Sequence, residues 1–128
     1  MIHRFPIRVY YEDTDLAGIV YYANYLKFIE RARSEWVREL GVDQVEMKAE
    51  GYVFAVRRVE ADYLVPARFD DKLVVETMMI ENSGVRLMVR QEVKRADVLI
   101  FGATITIICM NQSGAVARLP SAIRRSVH

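Results

Sequence analysis

Glu12, Asp13 and Asp15 place three carboxylates within four positions, and Gly18 follows three residues later. Carboxylates set just ahead of a helix can interact with its exposed amides and positive end, while their mutual repulsion raises the proton affinity of one of them. Such a group can serve as a general base or as a nucleophile. Gly18 permits close backbone approach, and the amides after it point where an oxyanion could sit. The same acids also suit a turn or helix cap, and the local pattern leaves both readings open.

Other chemistries lack their residues. The two histidines, His3 and His128, stand at the extreme ends of the chain, so neither a Ser-His-acid nor a Cys-His arrangement is expected. A zinc or iron site normally uses His or Cys ligands at short spacings, and none occur, so no metal is expected. The six glycines are too scattered for a phosphate-cradling loop. Catalysis, if present, rests on carboxylates and backbone dipoles.

The elements that would position these groups can be read from the hydrophobic pattern. With 128 residues, 52% hydrophobic and 27% charged, the chain reads as one folded domain over residues 1–128. Residues 3–12 alternate as a half-buried strand. From about Val20 the period changes: Tyr25, Ile29, Ala32, Trp36 and Leu40 recur at helical steps, with Leu26 and Val37 widening the stripe. A helix of about 17–20 residues, closed by Gly41, is the result. A short helix follows at 43–50, then strands at 52–65, 72–82, 85–95 and 98–111 separated by turn residues.

One strand, one long helix and an antiparallel run give an α+β fold in which a curved sheet wraps around the helix. One helix cannot cover both faces of that sheet, which leaves apolar surface for a partner subunit. A net charge of +1 argues against nonspecific nucleic-acid binding. No apolar run approaches membrane-spanning length and no signal-like N-terminus is seen, so a cytoplasmic location is expected. Cys109, the single cysteine, sits in an apolar run and reads as a buried strand residue.

The segments VYYEDTD (9–15), AGIVYYANY (17–25) and ERAR (30–33) resemble the signature of hotdog-fold acyl-CoA thioesterases. The branch is that of 4-hydroxybenzoyl-CoA thioesterase and the Tol-Pal-associated thioesterases. The similarity continues through PARFDD (66–71) and RLPSAI (118–123). It implies a hotdog fold whose helix is held in the sheet, active sites at a subunit interface, and a homodimer paired further into a tetramer. Asp15 falls on the family's catalytic carboxylate, and the Tyr22 backbone amide falls on its oxyanion donor. Tol-Pal-associated members usually carry His at the second position, so Tyr22 resembles the hydroxybenzoyl branch.

Hydrolysing a thioester expels a thiolate whose conjugate acid has a pKa near about 8.5, so a strong general acid is less necessary than for an amide. One carboxylate and one oxyanion donor can suffice, with no cofactor, coenzyme A being part of the substrate. Asp13 is expected to tie down the turn, Asn24 to cap the helix or touch the acyl group, and Glu30 to form a structural ion pair. Gly18, Val20 and Asn24 are candidate substrate contacts. Arg57 and Arg86, among several strand and C-terminal arginines, are candidates for the coenzyme A phosphates. The alternative is a non-catalytic module that binds acyl-CoA or acyl-carrier protein, which the intact DTD turn disfavours.

Overall fold

The computed structural model describes residues 1–126; His128 lies outside them. Strand β1 (His3–Arg8) leads through a short 3-10 turn (Tyr11–Asp13) to helix α1 (Asn24–Glu39) and the short helix α2 (Gln44–Ala49). Four further strands follow: β2 (Tyr52–Tyr63), β3 (Lys72–Asn82), β4 (Arg86–Arg95) and β5 (Val98–Asn111). A two-residue strand β6 (Val116–Ala117) and helix α3 (Ser121–Arg124) end the described chain. The antiparallel sheet runs β1-β3-β4-β5-β2, with β6 added against β5. This is the hotdog arrangement, a sheet around one long helix.

Tyr25, Phe28, Ile29, Ala32, Trp36 and Val37 form the buried face of α1. They pack into a core with Val75, Val89, Ile100, Phe101 and Ile105 from the sheet, where each large side chain taken from water contributes about 1.5–3 kcal/mol. Phe28 belongs to that face, but Leu26, expected there, remains 40% exposed. Gly41, at φ +95°, ends the helix as expected, with Val42 N–H donating to Val37 O and Gly41 N–H to Arg38 O.

Two boundaries differ from the sequence reading. β1 stops at Arg8 because Asp13 accepts the Tyr10 N–H and turns the chain, leaving Tyr11 outside. Helix α1 begins at Asn24, and its 16 residues are fewer than expected. Residues 20 and 21 are held in extended pairing instead, Val20 N–H to Ala67 O and Tyr21 N–H to Asp13 O. A tertiary partner far along the chain thus overrides local helical periodicity.

On the outer sheet face Thr106 and Ile108 are buried. Arg58 stands opposite Thr106 and Arg86 opposite Ile108, so long charged side chains occupy this face. Exposed apolar residues gather on the edge strand β2, at Tyr52, Val53, Val56, Val59 and Tyr63. Cys109 is buried in β5, as its sequence context implied, and burial pushes its thiol pKa up. His3 is fixed within β1, where Nε2 lies 3.1 Å from Glu39, at the end of that strand remote from the acidic turn.

Candidate active site

The acidic segment folds as a miniature hairpin. Thr14 bridges Val20, and Asp15 N–H donates to Ile19 O. Gly18 closes the tip at φ +80°, a left-handed conformation that costs a residue with a Cβ about 1 kcal/mol or more. At its far side the hairpin is fastened to the segment 66–71. Ile19 bridges Arg68, Val20 N–H donates to Ala67 O at 2.8 Å, and Ala67 N–H donates to the Tyr25 hydroxyl at 3.1 Å. Burial raises the pKa of that hydroxyl.

The two aspartates differ in environment. Asp13 is 8% exposed, accepts from Tyr10 N–H, and offers its own carbonyl to Tyr21 N–H and the Asn24 side-chain amide. Asp15 is only partly buried. One of its oxygens, Oδ1, accepts from Ala17 N–H at 2.9 Å, fixing the carboxylate, and Oδ2 has no protein partner among the described residues. Each carboxylate thus takes one backbone N–H, Asp13 through Oδ2 and Asp15 through Oδ1, and burial separates them: Asp13 is enclosed in the turn, whereas Asp15 stays partly open to solvent.

Helix α1 starts without a side-chain cap, Ala23 occupying the position where Ser, Thr, Asp or Asn commonly serves. Asn24 is already inside the helix and uses its amide to donate to Asp13 O, so the expected capping role is not taken. Among the described residues the Tyr22 N–H has no acceptor. An amide left open at a helix N-terminus, where the backbone dipoles sum to partial positive charge, can receive an oxyanion. The neighbouring peptide is restrained: the Tyr63 hydroxyl donates to Tyr22 O at 3.0 Å.

Tyr63 belongs to an aromatic cluster. Its ring meets those of Tyr22, Tyr25 and Phe101, and Tyr25 stacks on Phe101 at 4.9 Å and 8°. Tyr63 and Ala67 had no sequence signal of their own beyond the strand ending at one and the PARFDD motif containing the other. Both hydrogen-bond to the segment that carries the candidate residues, Tyr63 to Tyr22 O and Ala67 to the Tyr25 hydroxyl. Arg68, exposed and in no ion pair among the described residues, stands beside the same turn and was likewise missed.

The remaining candidates are scattered. Gly18 and Val20 lie in the hairpin, Gly18 exposed and Val20 buried beneath it. Arg57 is the extra residue of a bulge in β2 and is exposed. Arg86 pairs with Glu81 at 2.7 Å near the β3–β4 turn, seven residues along β4 from Val93, whose β5 neighbour is Phe101 of the aromatic cluster. That is about 23 Å from the site end of the sheet. Within one chain the fold brings Asp15 and Tyr22 into one unit and leaves both arginines apart. Glu30 forms no ion pair among the described residues, contrary to expectation. Those residues include no cluster of metal-ligating side chains, and none of their helices is long and apolar enough to cross a membrane.

Comparisons with known proteins bear on the family and the fold. Residues 17–101 match the model of the thioesterase superfamily. An acyl-CoA thioesterase, YbgC of Haemophilus influenzae, is 41% identical over 84% of this chain and 79% of its own length. A probable thioesterase from Bartonella henselae superposes with TM-score 0.89 at 34% identity, covering 94% of this chain and 100% of that one. A gentisyl-coenzyme A thioesterase superposes at 0.88 with 26% identity, covering 94% and 98%.

Proposed function

The chain belongs to the thioesterase superfamily, and we propose that within it this protein is an acyl-CoA thioester hydrolase working through Asp15 and the Tyr22 backbone amide. The observation that carries this reading is the pairing of an anchored carboxylate, with one oxygen uncommitted, and an open amide at an uncapped helix start.

The thioester carbonyl oxygen is received by Tyr22 N–H, which strengthens its hold as negative charge develops, and the helix dipole adds to that stabilisation. Asp15 delivers the oxygen nucleophile, by activating a water or by direct attack to give an acyl anhydride that water then opens. Collapse of the tetrahedral adduct expels the coenzyme A thiolate, which needs little help as a leaving group. Ala17 N–H keeps Asp15 aimed throughout.

The working unit is a homodimer, paired further into a tetramer, acting in the cytoplasm without a cofactor. The exposed apolar residues of β2 and that strand's unpaired edge support a subunit contact there. Arg68, exposed beside the turn, is a cation available to the coenzyme A phosphates, whereas Arg57 lies apart from that turn on the β2 bulge. A thiol-release assay over short, long and aromatic acyl-CoAs tests the function. Release from at least one class at enzyme-like rates is expected. Tight acyl-CoA binding with no release would favour a binding module instead.

A further inference from the structure

Strands β2 and β3 are separated in the sheet by β5 and β4, so the chain from Tyr63 to Lys72 crosses the ends of both. At the near end of this crossover Leu64 N–H and Val65 N–H both donate to Ile100 O of β5. Residues 66–71 then belong to no strand. Here the side chain of Arg95, the last residue of β4, takes over. Its Nη1 donates to Pro66 O at 3.2 Å and to Asp71 Oδ2 at 2.8 Å, and so grips the segment at its first and last residues. An Nη atom carries two N–H groups fixed in the guanidinium plane, so one nitrogen can serve both acceptors. The same Asp71 oxygen accepts from Arg68 N–H at 2.8 Å. The ion pair is partly buried, with 35% of the arginine and 24% of the aspartate side chain exposed, which shields it from the screening that makes loose surface pairs weak.

The other side of the crossover carries the loop of Asp15. Val9 exchanges two bonds with the far end of the segment, Val9 N–H to Asp71 O and Asp70 N–H to Val9 O, both at 2.9 Å. Val20 N–H donates to Ala67 O, near its first residue. Residues 10–19 are therefore suspended between two points of one short piece of chain. Whatever fixes the distance between those points fixes the stem of the loop. The Arg95 bridge, running from Pro66 to Asp71, spans both of them.

We propose that Arg95 is a positioning residue for thioester hydrolysis: its bridge between Pro66 and Asp71 sets the span from which the Asp15 loop hangs, and so the aim of that carboxylate. The proposal rests on the reading of Asp15 given above. Among the described residues Arg95 bonds to no atom of the loop itself, so it acts at second hand, through the segment. Aim matters because a misplacement of about 1 Å can cost about 10²-fold in rate. Slackening the bridge leaves the exposed binding surface in place, so the loss falls on kcat more than on KM.

The test measures kcat and KM for thiol release from a good acyl-CoA substrate, with thermal melting and sedimentation in parallel. Arg95→Met keeps the apolar stem and loses the bridge, and its kcat is expected to fall about 10- to 30-fold with KM within about twofold of wild type. Arg95→Lys keeps a charge for Asp71 and is expected to recover most of that loss. Combined with Asp15→Asn, the Arg95→Met change should cost less than about threefold further, because no carboxylate is left to aim. A full further loss of about tenfold in the double variant would make the bridge a general support of the fold and overturn the proposal. So would a wild-type kcat in Arg95→Met. Should Arg95→Met not fold, Asp71→Asn carries the same test, since it keeps an acceptor for Arg68 N–H but drops the charge that Arg95 holds. A lower kcat at unchanged KM is expected there, and an unchanged kcat would overturn the proposal. Wild-type activity in Asp15→Asn alone would bring down the reading of Asp15 itself, whatever Arg95 does.

Discussion

The Tyr63 hydroxyl donates to the carbonyl oxygen of Tyr22 across 3.0 Å, tying the last residue of an edge strand to the peptide that leads into α1. The strand thereby holds the open helix end in place, although the two residues are 41 apart in sequence. Tyr63→Phe removes that bond and keeps the ring packing. Turnover is expected to fall about 3- to 10-fold with KM little changed, on the scale of one hydrogen bond. Steady-state kinetics on a good acyl-CoA substrate checks this, and an unaltered kcat would separate Tyr63 from the oxyanion site.

Tyr22 acts through its backbone. Its side chain is 61% exposed. Tyr22→Phe is expected to turn over at close to the wild-type rate, whereas changes of side-chain size should redirect acyl preference. A near-total loss in Tyr22→Phe, with fold and assembly intact, would make the hydroxyl a chemical participant.

Asp13 carries structural weight. Replacing it by Ala strips the Tyr10 N–H of its acceptor in a buried place, at a cost of about 1–3 kcal/mol in unfolding free energy. Chemical denaturation measures this. The folded fraction should retain most of its turnover.

Acid should weaken the β1–β3–β4 side of the sheet through Glu76. Lys94 and Arg4 hold its carboxyl below the ordinary value of 4.5, the Lys94 hydrogen bond acting most strongly. At neutral pH the carboxylate is ionised folded and unfolded, and the stabilisation is complete. As pH falls below 4.5 the unfolded chain takes up the proton first, and the contribution is lost as pH passes down through the folded value. Glu76→Gln should therefore melt about 2–4 °C below wild type at pH 7, with the gap closing towards pH 3. A gap independent of pH would remove the ionic explanation.

Much of this arrangement was legible in the sequence. The alternation and turn residues located four of the strands closely, and Gly41 marked the end of α1 because a left-handed residue there leaves few alternatives. The start of α1 was not legible. Val20 and Tyr21 look helical locally, and only Ala67 and Asp13, which take their N–H bonds, hold them extended. Leu26 fitted the apolar stripe by spacing yet remains 40% exposed, since periodicity gives a direction around the helix but not what stands opposite. Asp15 and Tyr22 were suggested by motif resemblance. Tyr63 was invisible, because its role depends on where β2 ends beside the helix.

Asp15→Asn is the most direct test of the account. The amide keeps the shape and can still accept from Ala17 N–H, but no anion remains to act as base or nucleophile. The measurement is kcat for thiol release from the best acyl-CoA substrate, with folding and acyl-CoA affinity followed in parallel. A fall of about 10²–10⁴-fold with affinity largely preserved is the predicted result. Retention of more than about a tenth of the wild-type kcat, less than the usual effect of losing such a group, would contradict a carboxylate mechanism at Asp15.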